Sequence, residues 1–370
     1  MSAAHDSALA TASGRLRTPL CDLLGSRYPI VQTAMGWVAR PELVAAACNA
    51  GAFGFLAAAT LRAAEVGPAI QRVRELTDRP FGVNFHMFQP GAAQIVETIL
   101  AEKVQAVSFG RGPDKATVKR FRDAGIVCIP TVGAVKHAQK MVAIGVDALT
   151  IQGGEGGGHT GSVATSILLP QVLDAVKVPV VAAGGFSDGR GLAAALAYGA
   201  VGMAMGTRFL MTRDCPVPEI TKARYVQAGL EDIVLTTRLD GLQHRLIRNE
   251  ILGKFEQAGP ARLLWSALHN AWQLKRRTGA GFGELLQAAR AMQREGGLTF
   301  GQALMAANSP VFLNRSMIEG HPAEGVLSTG LVAGVLGDLP SCAELVERIV
   351  LEAEQRLAAL AAGHYGTHYE

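Results

Sequence analysis

The chain has 370 residues, 49% hydrophobic and 18% charged, enough to bury the core of one elaborated domain or of a large domain with a smaller one. Lys and Arg exceed Asp and Glu by only four and form no basic block interleaved with aromatics, so nucleic acid is not an expected partner. The five widely spaced cysteines, Cys21, Cys48, Cys128, Cys215 and Cys342, include no CxxC pair, which argues against a disulfide framework and a zinc site and fits a reducing cytoplasm.

Residues 1–17, rich in Ala and Ser with Arg15 and Arg17, lack the continuous apolar segment of a signal peptide and read as a disordered tail. Glycine, proline or charge interrupts every apolar stretch before it reaches the ~18 residues of a membrane span, so no membrane partner is expected. Short apolar runs then recur: Ile30-Val31-Gln32, Gly54-Phe55-Leu56, Phe81 to Asn84, Ala106 to Phe109, Val127 to Pro130, Ala148 to Ile151, Pro179 to Ala183 and Gly202 to Met205. Helix-like segments lie between them, including Pro41 to Asn49, Ala92 to Glu102, Asp114 to Ala124, Val135 to Ile144 and Gly189 to Tyr198. Strand and helix alternating in this way imply βαβ crossovers and a parallel sheet, and eight such units favour a (β/α)₈ TIM barrel over a doubly wound α/β sheet.

Beyond Arg208 the pattern changes. Residues 211–325 carry long helical stretches, among them Ala261 to Arg277 and Phe282 to Arg294, and predict an all-helical insertion between strand 8 and the closing helix. That last helix is predicted over Ser341 to Ala362, with Asp338-Leu339-Pro340-Ser341 as its start signal. The expected division is therefore a barrel over 18–210 and 326–370, capped by a lid or substrate subdomain over 211–325.

Active sites of such barrels lie at the carboxyl ends of the strands. Two Gly-containing loops, Ala183-Gly184-Gly185-Phe186 and Met205-Gly206-Thr207-Arg208, follow the seventh and eighth strands, where backbone N–H groups can hold one phosphate. After the sixth strand comes Gln152-Gly153-Gly154-Glu155-Gly156-Gly157-Gly158-His159, whose glycines let backbone lie against a planar ligand and deliver one imidazole beside it. His159 is the candidate catalytic residue, with Gly157 and Gly158 against the cofactor; His137 and His86 are the fallback candidates.

These segments, with Tyr28 to Gln32, Gly82-Val83-Asn84 and Ser328 to Glu354, resemble the nitronate monooxygenases, formerly called 2-nitropropane dioxygenases, and their relatives the FMN-dependent enoyl-acyl-carrier-protein reductases. The resemblance implies one non-covalent FMN. It implies that Met35 and Gly36 pass beside the isoalloxazine, that Asn84 and Gln152 hydrogen-bond its polar edge, and that Gly184, Gly185, Gly206 and Thr207 hold the phosphate. The chain departs from the family's usual Ala-Pro-Met with Thr33-Ala34-Met35-Gly36-Trp37, which frees the backbone and places Trp37 where it could narrow the pocket.

The resemblance implies a flavoprotein acting on a small molecule; a cytoplasmic location is expected from the cysteines, and a homodimer is allowed. In the favoured expectation it oxidises alkyl nitronates or nitroalkanes with O2. In the alternative, NAD(P)H reduces FMN, which reduces an enoyl thioester or a quinone. A flavin-free barrel of the nucleotide-dehydrogenase kind would need a cysteine nucleophile after the sixth strand, where this chain has His159.

Overall fold

Buried strands of a parallel sheet read as continuous apolar runs because both faces are covered, and the runs here form such strands. In a computed structural model, which describes residues 16–87, 89–110, 112–259 and 308–366, they are β1 (Ile30–Gln32), β2 (Phe53–Ala57), β3 (Gly82–Phe85), β4 (Ala106–Phe109), β5 (Val127–Cys128), β6 (Thr131–Val132), β7 (Leu149–Gln152), β9 (Val180–Ala183) and β10 (Gly202–Met205). All neighbours are parallel, in the order β5-β4-β3-β2-β1-β10-β9-β7-β6. The two ends of this order are consecutive in the chain. Ile129 N–H donates to Val107 O (2.9 Å) on one side and Pro130 O accepts from Thr150 N–H (2.9 Å) on the other, so Val127 to Val132 acts as one bent strand that closes an eight-stranded barrel.

The closing helix runs over Cys342–Ala361, started by a capping box between Ser341 and Glu344. It packs on the helix Gly189–Tyr198 at Gly189, where a Cβ would stand 2.4 Å from Ile349 O. The expected tail falls mostly outside the described residues, as do the helices expected at 261–277 and 282–294. All five cysteines are buried and free, and no helix among the described residues is long and apolar enough to cross a membrane.

Within 211–325 the described residues carry three helices of eight residues or more, Glu219–Val226, Glu250–Gln257 and Asn308–Met317, but helices do not account for the whole segment. Two antiparallel strands, β11 (Ile233–Thr236) and β12 (His244–Ile247), lie among them, and β12 also pairs with β13 (Leu327–Ser328) and with β8 (Gly158–His159). The correction has a physical cause. Ile233-Val234-Leu235-Thr236 is a largely β-branched run suited to a sheet, and His244 to Ile247, besides pairing with it, take their other partners from distant parts of the chain, which short-range periodicity does not report.

Candidate active site

The carboxyl ends of the barrel strands and the insertion enclose a cavity of about 1000 Å³. Met35, Gly36, Asn84, Gln152, Gly157, Gly158, His159, Gly184, Gly185, Gly206 and Thr207 all line it, although they come from five βα loops. His86 and His137 line it as well. At the strand ends Thr33, Asn84, Ser108, Thr131, Thr150 and Gln152 put polar groups among the apolar Val31, Phe55, Val132 and Met205; the insertion adds Leu242, Leu313 and Met317 together with Asp240, His244 and Ser309.

Hydrogen bonds set the orientation of these side chains. Asn84 Nδ2 donates to Ser108 O (3.2 Å), and Gln152 Nε2 donates to Gly157 O (3.3 Å) and His159 O (3.2 Å). Gln152 thus orders the glycine loop with the same amide that the resemblance assigns to a cofactor edge. The loop also needs glycine for a reason not visible in sequence: a Cβ on Gly157 would stand 2.8 Å from Gly330 N. Glu155 turns its carboxylate to the start of the helix Thr165–Ala175, accepting from Thr165 N (2.9 Å) and Thr165 Oγ1 (2.7 Å). Gly184 and Gly185 hold φ of +101° and +82°, the left-handed region that favours glycine. Thr207 Oγ1 accepts from Gly330 N–H (2.8 Å), which ties the eighth loop to the segment before the closing helix.

His159 sits on β8, which pairs antiparallel with β12 so that His159 stands directly opposite His244. The ring centroids are 4.6 Å apart. His159 Nε2 is 2.8 Å from Asp240 Oδ2, with the imidazole half exposed and the carboxylate buried. The same oxygen accepts from Ser309 Oγ and from His244 Nδ1 (3.3 Å), while Oδ1 accepts from Leu242 N–H (3.2 Å). Burial alone would raise the Asp240 pKa; the hydrogen bonds from His159 and His244 outweigh it and hold the carboxyl well below the usual carboxylate range. Burial pushes the His244 pKa down, opposed by its bond to Asp240, and Ser328 Oγ lies 3.0 Å from its Nε2. A neutral His244 therefore donates through Nδ1 and accepts through Nε2.

Arg245, next along β12, donates from Nε to Gly156 O (3.2 Å) and from Nη2 to Gly154 O (2.5 Å), clamping the glycine loop to the insertion. Asp240, His244, Arg245, Ser309 and Ser328 were not among the residues singled out from sequence. The one local signal, Asp240 and His244 four apart, carries no meaning until β12 meets a loop about 80 residues earlier. Ligand atoms of His159, Asp240 and His244 lie within 4.8 Å of one another, a donor set that could take a divalent cation, yet hydrogen bonds already account for Asp240's oxygens and both nitrogens of His244.

A model of the family described as nitronate monooxygenase matches residues 17–97 and 91–352. A relative from Mycobacterium tuberculosis, (3aS,4S,5R,7aS)-5-hydroxy-7a-methyl-1-oxo-octahydro-1H-indene-4-carboxyl-CoA dehydrogenase, is 50% identical over 351 residues, spanning 94% of this chain and 99% of its own length. Among solved structures, FabK from Thermotoga maritima superposes with a TM-score of 0.75 at 30% identity, covering 94% of this chain and 99% of its own. The nitroalkane oxidase of Streptomyces ansochromogenes superposes with a TM-score of 0.73 at 29% identity, covering 92% and 99%.

Proposed function

The chain belongs to the nitronate monooxygenase family of oxidoreductases, and from that premise we propose that it is an FMN-dependent dehydrogenase of a ring-bearing acyl-CoA thioester. The observation that carries this reading is the cavity of about 1000 Å³, whose lining sets apolar side chains such as Phe55, Val132, Leu242, Leu313 and Met317 beside a few polar groups and His159. That volume is at the upper end for small-molecule sites and suits a cofactor and a bulky apolar ring together. The full-length relative named for a carboxyl-CoA dehydrogenase supports the same substrate class.

The residues present fit a mononucleotide. Gly184 and Gly185, at φ +101° and +82°, and Gly206 line one side of the cavity with backbone bare of side chains, and a Cβ at Gly206 would crowd Thr33 Oγ1 (3.1 Å) and Met35 Sδ (3.2 Å). Gly184, Gly185, Gly206 and Thr207 would hold the phosphate at the site this fold uses for it, and Met35, Gly36, Asn84, Gln152, Gly157 and Gly158 would line the ring. FMN supplies a two-electron acceptor for hydride. The chain's own contribution is a base and an orientation. With Nε2–H donated to Asp240, His159 keeps its lone pair on Nδ1, the atom that takes the proton α to the thioester carbonyl. With FMN bound, loss of one C–H proton to His159 Nδ1 and of hydride from the neighbouring carbon, for which the flavin would be the acceptor, would leave a C=C bond. The roof of Leu242, Leu313 and Met317 keeps water from the ring.

The family and the nitroalkane oxidase neighbour favour a second reading, oxidation of an alkyl nitronate with O2, for which the same Nδ1 would remove the α-proton of the nitroalkane. The reductase reading reverses the first, with NAD(P)H as the electron source. Anaerobic stopped-flow absorbance separates them by mixing the yellow protein in turn with a cyclic acyl-CoA, an alkyl nitronate, NADH and NADPH. Rapid bleaching by the cyclic acyl-CoA is expected. Bleaching by the nitronate alone, or by a nicotinamide alone, would overturn the proposal in favour of the corresponding reading.

A further inference from the structure

An imidazole that passes protons must offer the correct nitrogen, and which one it offers depends on what holds the other. The glycine loop that carries His159 contains no acidic side chain near the ring except Glu155, whose carboxylate is taken by Thr165. The group that holds Nε2 comes instead from the insertion, through the pairing of β8 with β12.

We infer that Asp240, backed by His244 and Ser309, is a positioning residue that fixes His159 as the Nε2–H tautomer and so makes Nδ1 the proton-accepting atom. An ionised carboxylate only accepts hydrogen bonds, so a ring nitrogen 2.8 Å from it must carry hydrogen. Asp240 cannot swing away, because His244 Nδ1, Ser309 Oγ and Leu242 N–H hold its two oxygens from three further directions. His244 must carry hydrogen on the Nδ1 that faces the carboxylate, which leaves the Nε2 of the neutral ring to accept from Ser328 Oγ. The groups facing the carboxylate are therefore all donors, from the glycine loop, from β12, from the turn before it and from the helix Asn308–Met317. An amide with its oxygen toward His159 would keep three of these bonds and turn NH₂ only against Leu242 N–H, so removal of the carboxylate, not its neutralisation, is the perturbation that frees the ring. The insertion, on this inference, completes the proton-transfer apparatus as well as roofing the cavity.

The inference rests on the proton-transfer reading of His159, and its first readout needs no substrate. Long-range ¹H–¹⁵N spectra of the FMN-loaded protein carrying ¹⁵N-histidine, recorded at alkaline pH where imidazoles are neutral, report the tautomer directly, with His159→Gln assigning the resonance. The wild type is expected to show Nε2–H at His159. Asp240→Ala, which removes the acceptor altogether, is expected to release His159 to a mixture of tautomers and to lower kcat per bound flavin by roughly 10²- to 10⁴-fold with FMN retained. A wild-type His159 in the Nδ1–H form would overturn the inference without any variant, so a misfolded Asp240→Ala does not protect it. A folded Asp240→Ala with an unchanged tautomer and unchanged kcat per bound flavin would overturn it too. Failure of every acyl thioester to bleach the flavin would refute the substrate proposal and leave the tautomer result standing.

Discussion

Replacing Gly185 with aspartate tests the phosphate assignment most directly. Gly185 holds φ +82°, and a Cβ there would lie 3.3 Å from Glu155 Cβ, so any side chain meets strain and a close neighbour. A non-glycine residue in this region costs about 1–2 kcal/mol, with Asn and Asp at the low end. The charge adds a separate effect: a carboxylate about 6 Å from each unit of phosphate charge is repelled by roughly 3 kcal/mol at an effective dielectric of about 20. Halving this for the open mouth and for salt, and counting about 1.5 to 2 charges on the phosphate, leaves about 2–3 kcal/mol, or a loss of roughly 30- to 150-fold in affinity. Gly185→Asn has nearly the same shape and backbone preference without the charge. Fluorescence titration of the two apoproteins with FMN should therefore give dissociation constants differing by that factor, Asp weaker. Melting temperature of the apoproteins reports the added repulsion from Glu155 separately. Equal FMN affinities in Gly185→Asp, Gly185→Asn and wild type would show that this loop does not hold the phosphate.

Three further outcomes are expected. His159→Ala should keep FMN and lower kcat/KM per bound flavin by roughly 10²- to 10⁴-fold, because Asp240 retains the donors of His244, Ser309 and Leu242; near wild-type turnover per flavin would return attention to His137 and His86. Trp37, a bulky residue at φ +64° on the cavity wall, stores strain of about 1–3 kcal/mol, so Trp37→Gly should be more stable than Trp37→Ala by about 1 kcal/mol in urea titrations while both lose affinity for a ring-bearing substrate. A reversed stability order would contradict the left-handed backbone. Burial lowers the folded-state pKa of His244 below its unfolded value of about 6.5, so below about pH 6.5 the unfolded chain binds a proton that the folded one does not, and stability falls as pH drops toward the folded value. His244→Gln should flatten that part of the urea-derived stability profile, and an unaltered slope would show that His244 is charged in the native state.

The barrel was legible in the sequence because its strands are buried on both faces and its helices follow at regular spacing. All eight apolar runs became strands, and the closing helix begins at the Ser341 cap that announces it. The candidate cavity residues were legible for a related reason: each lies at the carboxyl end of a strand or in the loop that follows it, so the barrel's topology brings Met35, Asn84, Gln152, His159, Gly185 and Thr207 to one mouth. The insertion obeyed no such rule. Its strand β12 pairs with nearby β11 along one edge, but along the other it meets the glycine loop and then Leu327–Ser328, contacts separated by about 80 residues in either direction, and periodicity within a short window carries no trace of them. Glycines that suggested a flat ligand surface are in part demanded by protein backbone packed against Gly157. What the sequence by itself determined was the barrel, its mouth and an imidazole delivered there by glycine. Only the tertiary structure decided which nitrogen of that imidazole is held, because a buried carboxylate acquires its partners from whichever segments fold over it, and here those segments are His159, His244 and Ser309.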